Sequence, residues 1–146
     1  MTDAHVTEDL AHPRYRTPNP AFAARVRESF ARQPFMATLA AEIASVTPGQ
    51  CEIRLPFRPA LGQQHGFFHG GVVGTLADNA CGYASFTLAD ADSSVLTVEY
   101  KLNLMSPAAG DVLIARGRVL RPGRTLVVAQ ADVSVVIDGL EKPVAT

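Results

Sequence analysis

The sequence predicts an α+β domain in which a curved antiparallel sheet wraps around one long central helix. Two observations carry this. Residues 61–89, LGQQHGFFHGGVVGTLADNACGYASFTLA, read as a helix from Val72 on, with Asp78 and Asn79 its only strongly polar side chains. A helix apolar nearly all round is normally buried. On either side of it lie runs of alternating apolar and polar residues separated by turn signals, and no further long helix follows. An antiparallel sheet needs its apolar face covered, and one apolar helix suits a sheet that curves around it.

The elements follow in order. Residues 1–19 are polar and interrupted by prolines, which predicts a loosely held arm ahead of a domain spanning 20–146. Asn19 is placed as an N-cap with Pro20 at the first helical position. The helix to about residue 33 then sets Phe22, Val26 and Phe30 on one face, with Arg25, Arg27, Glu28 and Arg32 outside, and Pro34 ends it. A short turn at 35–39 leads to a strand at 41–47, and Pro48-Gly49 makes a hairpin turn. The next strand puts Cys51, Ile53, Leu55 and Phe57 on one face and Glu52 and Arg54 on the other. Beyond the long helix, residues 95–105 alternate Leu96, Val98, Tyr100, Leu102 and Leu104 with Thr97, Glu99, Lys101 and Asn103. Strands at 112–120 and 125–137 follow, joined by a tight hairpin through the RPGR stretch. Asp138-Gly139 is another turn. Residues 140–146 begin a final strand that stops early, as if the chain continued.

Bulk properties restrict the function classes. The 146 residues suffice for one domain with a real core. Apolar residues at 47% and charged residues at 18% are those of an ordinary globular protein. Net charge is −1 with no Lys/Arg-rich run, which argues against a nucleic-acid or anionic-membrane partner. The longest apolar run is far too short to span a bilayer, and the first twenty residues lack the apolar core of a signal peptide, so the cytoplasm is expected. Cys51 and Cys81 are too few for a disulfide framework and lack metal or redox spacing. Reduced, buried thiols are expected, since a catalytic Cys81 would need a basic partner that is not near in sequence.

Asp78 is the residue to explain, because a carboxylate on an apolar helix costs free energy unless paired or hydrogen-bonded. Within about 60° of it on the helix lie Gly71, Gly74, Thr75, Cys81, Gly82 and Ser85, all small. The opposite face, Val72, Val73, Leu76, Ala80, Tyr83 and Ala84, suits the sheet. The small face admits close approach of another backbone or a slender ligand, or plain helix packing. His69-Gly70-Gly71 precedes the first turn, and free N–H groups at a helix start favour developing negative charge, as in an oxyanion hole. Gly70 and Asp78 are eight residues apart, so on one helix they are separated by ~12 Å along the axis. A base and an oxyanion donor must both reach the reacting atoms at ~3 Å. One chain cannot bring them together, whereas two antiparallel copies of the helix can, which predicts a site shared across a two-fold dimer.

The combination HGGVVGTLADNACGYAS, TVEYKLNLMSPAAGD and RPGRT resembles the hotdog-fold acyl-CoA thioesterases of the phenylacetate-pathway (4-hydroxybenzoyl-CoA thioesterase-like) type, over roughly residue 35 to the C-terminus. The resemblance implies a five-stranded antiparallel sheet around the helix and edge-to-edge homodimers, with dimers of dimers as the further assembly it allows. It places the catalytic carboxylate, general base or nucleophile, at Asp78 and the N–H that polarises the thioester carbonyl at Gly70. Gln63 falls on an amide position that holds water or thioester, and Thr97 on a position that helps place the water. Thr97 shares strand parity with Glu99 and Lys101, which read as solvated. Met105, Ser106, Pro107 and Ala108, with Pro122, Gly123, Arg124 and Thr125, resemble segments that contact coenzyme A. His69 and Gly71 are also assigned to substrate or CoA binding, with His69 expected mainly to shape the loop and cap the helix. No cofactor is implied other than the coenzyme A of the substrate.

His65 and His69 have metal-ligand spacing, but Gly66 lies between them in a loop and no third ligand is near, so no metal is expected. Arg121 and Arg124 could meet the phosphates of the coenzyme or could simply be solvated. Phe67, Phe68, Tyr83 and Phe86 could line an aromatic acyl pocket or be core. Three functions are compatible with the residues: thioester hydrolysis, hydration or dehydration of an enoyl-CoA using His69 and Asp78, and acyl-CoA binding without catalysis.

Overall fold

The computed structural model describes residues 15–146, and the expected arm at 1–14 lies outside them. From Tyr15 on the chain is tied down. The Thr17 hydroxyl donates to the Thr87 carbonyl (2.6 Å), and Tyr15 Oη donates to the Leu120 carbonyl (3.1 Å). The Tyr15 ring also covers Gly49, where a Cβ would stand 2.6 Å from it.

Helix α1, Phe22–Ala31, starts two residues later than its proline suggests. Asn19 closes a turn around Pro20: its Oδ1 accepts from the Ala21 N–H (2.9 Å) and its carbonyl from the Phe22 N–H (3.1 Å). Arg25, expected outside, is half-buried with its guanidinium 4.1 Å from the centroid of the Phe86 ring. The expected turn at 35–39 is a short helix, α2, Pro34–Leu39. Pro34 both stops α1 and opens α2, because it lacks the N–H that an interior helical residue donates. Ala40, at φ 58°, ends it.

Strands β1, Glu42–Thr47, and β2, Gln50–Pro56, pair across Pro48-Gly49, with Gly49 at φ +79°. Helix α3 spans Gly70–Phe86. Strands β3, Val112–Arg121, β4, Val128–Ile137, and β5, Leu140–Ala145, complete a five-stranded antiparallel sheet in the order β1-β2-β3-β4-β5. The β4–β5 turn, Asp138-Gly139, has positive φ at both residues (52° and 76°), the geometry favoured by tight hairpins.

Helix α3 packs across β2, β3 and β4. Its sheet-facing side is the expected one: Val73, Leu76, Ala80, Tyr83 and Ala84 are buried against Ile53, Leu55, Leu113, Val133 and Val135, with Val72 at the margin. Closest approach is at Gly117, where a Cβ would stand 2.2 Å from the Ala80 carbonyl oxygen. Thr87 locks the far end of α3, its hydroxyl donating to the Ala84 carbonyl and accepting from the Gly49 N–H (both 2.7 Å).

Two strand expectations are corrected. Residues 95–105 form no strand of the sheet; among the described residues they join it only at the end, where Asn103 and Thr146 exchange backbone bonds and Leu104 bridges Ala145. Alternation alone does not make a ladder, and among the described residues none lies alongside 95–102 to pair with it. The strand expected at 140–146 is present as β5. The RPGR connection is also not a tight turn. β3 ends at Arg121 and β4 begins at Val128, with a register shift just before Pro122, which has no N–H for the ladder. The loop folds back on itself, so that a Cβ at Gly123 would stand 2.2 Å from the Leu126 carbonyl oxygen.

Candidate active site

The start of α3 is built by His69. Its Nδ1 accepts from the Gly71 N–H (2.9 Å), and its carbonyl accepts from Val72 (2.9 Å) and Val73 (3.2 Å). The helix therefore begins at Gly70, two residues before the apolar run, and both glycines sit inside the first turn. Among the described residues the Gly70 N–H has no partner, so the cap leaves one first-turn donor open. Gly70 lines a cleft of about 470 Å³ walled by Phe67, Val73, Leu104, Met105 and Val144. Gln63 and Ser106 are the polar side chains of this cleft, and Pro107 and Ala108 close its rim.

Gln63 is held by its own loop. Its N–H donates to the Phe67 carbonyl (2.9 Å), its carbonyl accepts from Gly66 (3.1 Å), and Gly66 sits at φ +82°. The Gln63 Oε1 accepts from the His65 N–H, while Nε2 has no partner among the described residues. The amide thus offers the cleft a donor.

Asp78 lies in a second cleft, of about 510 Å³, which shares no lining residue with the first. It is half-buried there, so α3 is less enclosed than an apolar helix implies. Thr97 Oγ1 donates to Asp78 Oδ1 at 2.7 Å. The strand parity of Thr97 is no obstacle, because 95–102 has no ladder to enforce two faces; Thr97, Glu99 and Lys101 all border this cleft together with Leu96 and Val98. Pro122, Gly123, Arg124 and Thr125 form its outer rim.

The small face of α3 has an unexpected occupant. The chain's own segment crosses it, with Tyr100 Oη and a Leu102 methyl 3.3 and 3.5 Å from where a Cβ at Gly74 would stand. Further along, Gly82 meets open space. Burial raises the Cys81 thiol to about 12, and the Asp78 carboxylate adds to the rise, so Cys81 is no nucleophile at neutral pH. Cys51 is raised to about 12, chiefly by burial.

The structure thus joins Asp78, Thr97 and residues 122–125 in one cleft, and Gln63, Gly70 and residues 105–108 in the other. His69 and Gly71 line neither; they make the cap. Of the four aromatic candidates, Phe67 and the inner edge of Phe68 reach the Gly70 cleft. Phe68 also packs edge-on to Phe57 (5.0 Å), and Tyr83 is buried with its hydroxyl accepting from Gln33 Nε2 (2.6 Å). Leu104, which presses on Gly70, was not singled out from the sequence as a wall residue; its only signal was its place in the apolar alternation. Among the described residues no three His, Cys, Asp or Glu side chains converge as a metal site.

Residues 65–141 match the family model of the Thioesterase superfamily. The chain belongs to that superfamily. A solved structure of a thioesterase family protein from Silicibacter pomeroyi is 50% identical, with a TM-score of 0.84, covering 85% of this chain and 91% of that one. The PaaI protein from the phenylacetic acid degradation operon of E. coli shares the fold, with a TM-score of 0.73 at 22% identity over 85% and 86% of the two chains. A protein of Saccharolobus solfataricus named as an esterase is 28% identical over 62% of this chain and 64% of its own length, so the match spans less than two thirds of that relative. Membership of the thioesterase superfamily implies a small-molecule thioester as substrate.

Proposed function

We propose that this chain hydrolyses an acyl-CoA thioester to a free acid and CoA, in a site completed by a second copy of itself. The observation that carries the reading is the separation of the acid from the open donor. Asp78, with its Thr97 partner, and Gly70, with the Gln63 amide, lie in clefts without a common wall, ~12 Å apart along one helix. Neither cleft has both a base and an oxyanion donor, and a two-fold pair would bring one of each together. Residues 95–102 support such a pairing, since their backbone is an unpaired edge and Leu96 and Val98 are 87% and 75% exposed.

In this mechanism the Gly70 N–H polarises the thioester carbonyl, aided by the positive end of the α3 dipole. Thr97 occupies Asp78 Oδ1, leaving Oδ2 to take a proton from water as the water oxygen attacks the carbonyl carbon. The tetrahedral oxyanion collapses, the C–S bond breaks, and the proton held by Asp78 passes to the departing thiolate. Gln63 Nε2 donates to water or carbonyl. Residues 105–108 and 122–125, with Arg124 as the cation, meet the pantetheine and phosphates. No cofactor takes part beyond the coenzyme A that the substrate carries.

A hydratase built on His69 and Asp78 is disfavoured because His69 Nδ1 is committed to the Gly71 N–H and the ring borders neither cleft. A cytoplasmic setting belongs to the same proposal and is supported by two free thiols, Cys51 and Cys81. No helix among the described residues is long and apolar enough to cross a membrane.

The direct assay is thiol release from a panel of aromatic and straight-chain acyl-CoAs, beside crotonyl-CoA hydration followed optically. Wild type should release CoA from at least one acyl-CoA and hydrate none. Hydration without thiol release, or tight acyl-CoA binding with neither, would overturn the reading.

A further inference from the structure

The segment that brings Thr97 to Asp78 has few anchors. Among the described residues it pairs with no strand between Ser94 and Leu102; Tyr100 and Leu102 pack against Gly74, and backbone bonds hold its far end where 103–106 meet 144–146. Its near end leaves α3 through a turn at 90–93, closed by the Ser93 N–H donating to the Asp90 carbonyl (3.0 Å). Arg25, from the separate helix α1, reaches across to this turn. Its Nη1 donates to the Asp90 carbonyl at 2.7 Å and its Nη2 to the Ser93 carbonyl, while the guanidinium plane rests on the Phe86 ring near the end of α3. One side chain therefore joins α1, the last turn of α3 and the turn four residues ahead of Thr97.

We infer that Arg25 is a positioning residue for the reaction: it sets where the 95–102 segment leaves α3 and thereby holds the Thr97 hydroxyl on Asp78. The planar fork matters, because two carbonyls three residues apart are held at once while the ring is covered; an ammonium can serve only one of these contacts well. Asp90 and Ser93 also border the Asp78 cleft, so the clamp shapes the wall next to the acid. The inference rests on the reading of Asp78 as the reacting acid, but its geometric half can be measured without turnover.

The test compares Arg25→Leu, which still covers Phe86, with Arg25→Lys, Thr97→Ala and the double variant Arg25→Leu/Thr97→Ala. Thr97→Ala should lower kcat about tenfold or more, the loss expected for a hydrogen bond to a charged acceptor. Arg25→Leu should lower kcat about tenfold with KM changed less than about threefold, and Arg25→Lys should recover part of the loss. The decisive comparison is the cycle: in the Thr97→Ala background, Arg25→Leu should cost less than about twofold, because both changes remove the same contact. Independently of activity, Arg25→Leu should speed exchange of the Ser93 amide, whose hydrogen bond to the Asp90 carbonyl closes the turn, while leaving β2 and β3 protected. Multiplicative losses in the cycle, or Ser93 amide exchange equal to wild type, would overturn the inference. If wild type cleaves no thioester, the proposed function fails, and the exchange comparison alone then decides whether the clamp exists.

Discussion

Asp78 and Thr97 are joined by a 2.7 Å hydrogen bond across nineteen residues of sequence. Asp78→Ala should abolish most thiol release while circular dichroism and oligomeric state stay as in wild type; retained turnover would remove Asp78 from the mechanism. Gln63→Ala should lose on the order of 10²–10³ in kcat, the range for one polar stabiliser of the transition state. The cysteines make a pH prediction. Both thiols ordinarily ionise near 9 and are raised to about 12 in the fold. Between those values the unfolded chain has released protons that the folded chain retains, so stability falls as pH rises through that window. Urea midpoints should drop between about pH 8 and pH 10.5, and drop less in a Cys51→Ala/Cys81→Ala variant. An equal drop in both proteins would show that the thiols are not responsible. At this scale Asp78 was legible in sequence, because a lone carboxylate on an apolar helix demands a reason. Thr97 was available only through family resemblance, since hydroxyl and carboxylate meet through a segment with no periodic signal of its direction. Arg25 was misplaced outside, because helical periodicity reports which face a residue occupies but not how far a long side chain reaches.

The long helix was legible as an element because its apolar face has one consistent partner, the sheet. Its first turn was not, because glycines carry no helical signal and the start depends on the His69 cap. His69→Ala should cost about 1 kcal/mol through loss of the Nδ1 acceptor, with His69→Asn recovering much of it, measured by urea unfolding. The seat of the helix depends on Gly117, whose missing side chain leaves room for the Ala80 carbonyl. Gly117→Ala should destabilise by about 1–3 kcal/mol or more as α3 is pushed from the sheet, and a neutral effect would show that the helix can shift freely. Residues 95–105 were misread as a strand of the chain's own sheet for a different reason. Alternation is a property of a segment, whereas a strand is a property of a pair. Along the outer face of the sheet the ion pairs are local. Arg116 holds Glu52 (2.7 Å) and grips Glu141 in a fork (2.6 and 2.7 Å), which keeps the Glu141 carboxyl below its usual range.

For the whole molecule, the question is what completes two half-sites and covers an apolar edge. A monomer would expose Leu96, Val98 and Tyr100 beside an unpaired backbone, a combination that soluble domains avoid. The proposed two-copy arrangement would answer both needs with one contact. Family membership and fold class could be anticipated from the residues, but the chain's own crossing of the small helix face could not. That face was expected to receive another helix, and Tyr100 and Leu102 fill part of it instead.

Sharing of the site is tested most directly by complementation. Gly70→Pro removes the one open N–H at a position where proline suits a helix start, and His69 already has the extended conformation (φ −63°, ψ 138°) that a following proline requires. Gly70→Pro and Asp78→Ala should each be nearly inactive alone. When the two chains are co-expressed, about half the dimers should be mixed, each with one intact site, restoring about a quarter of wild-type thiol release. Mixed dimers that form and remain inactive would contradict a site built from two chains.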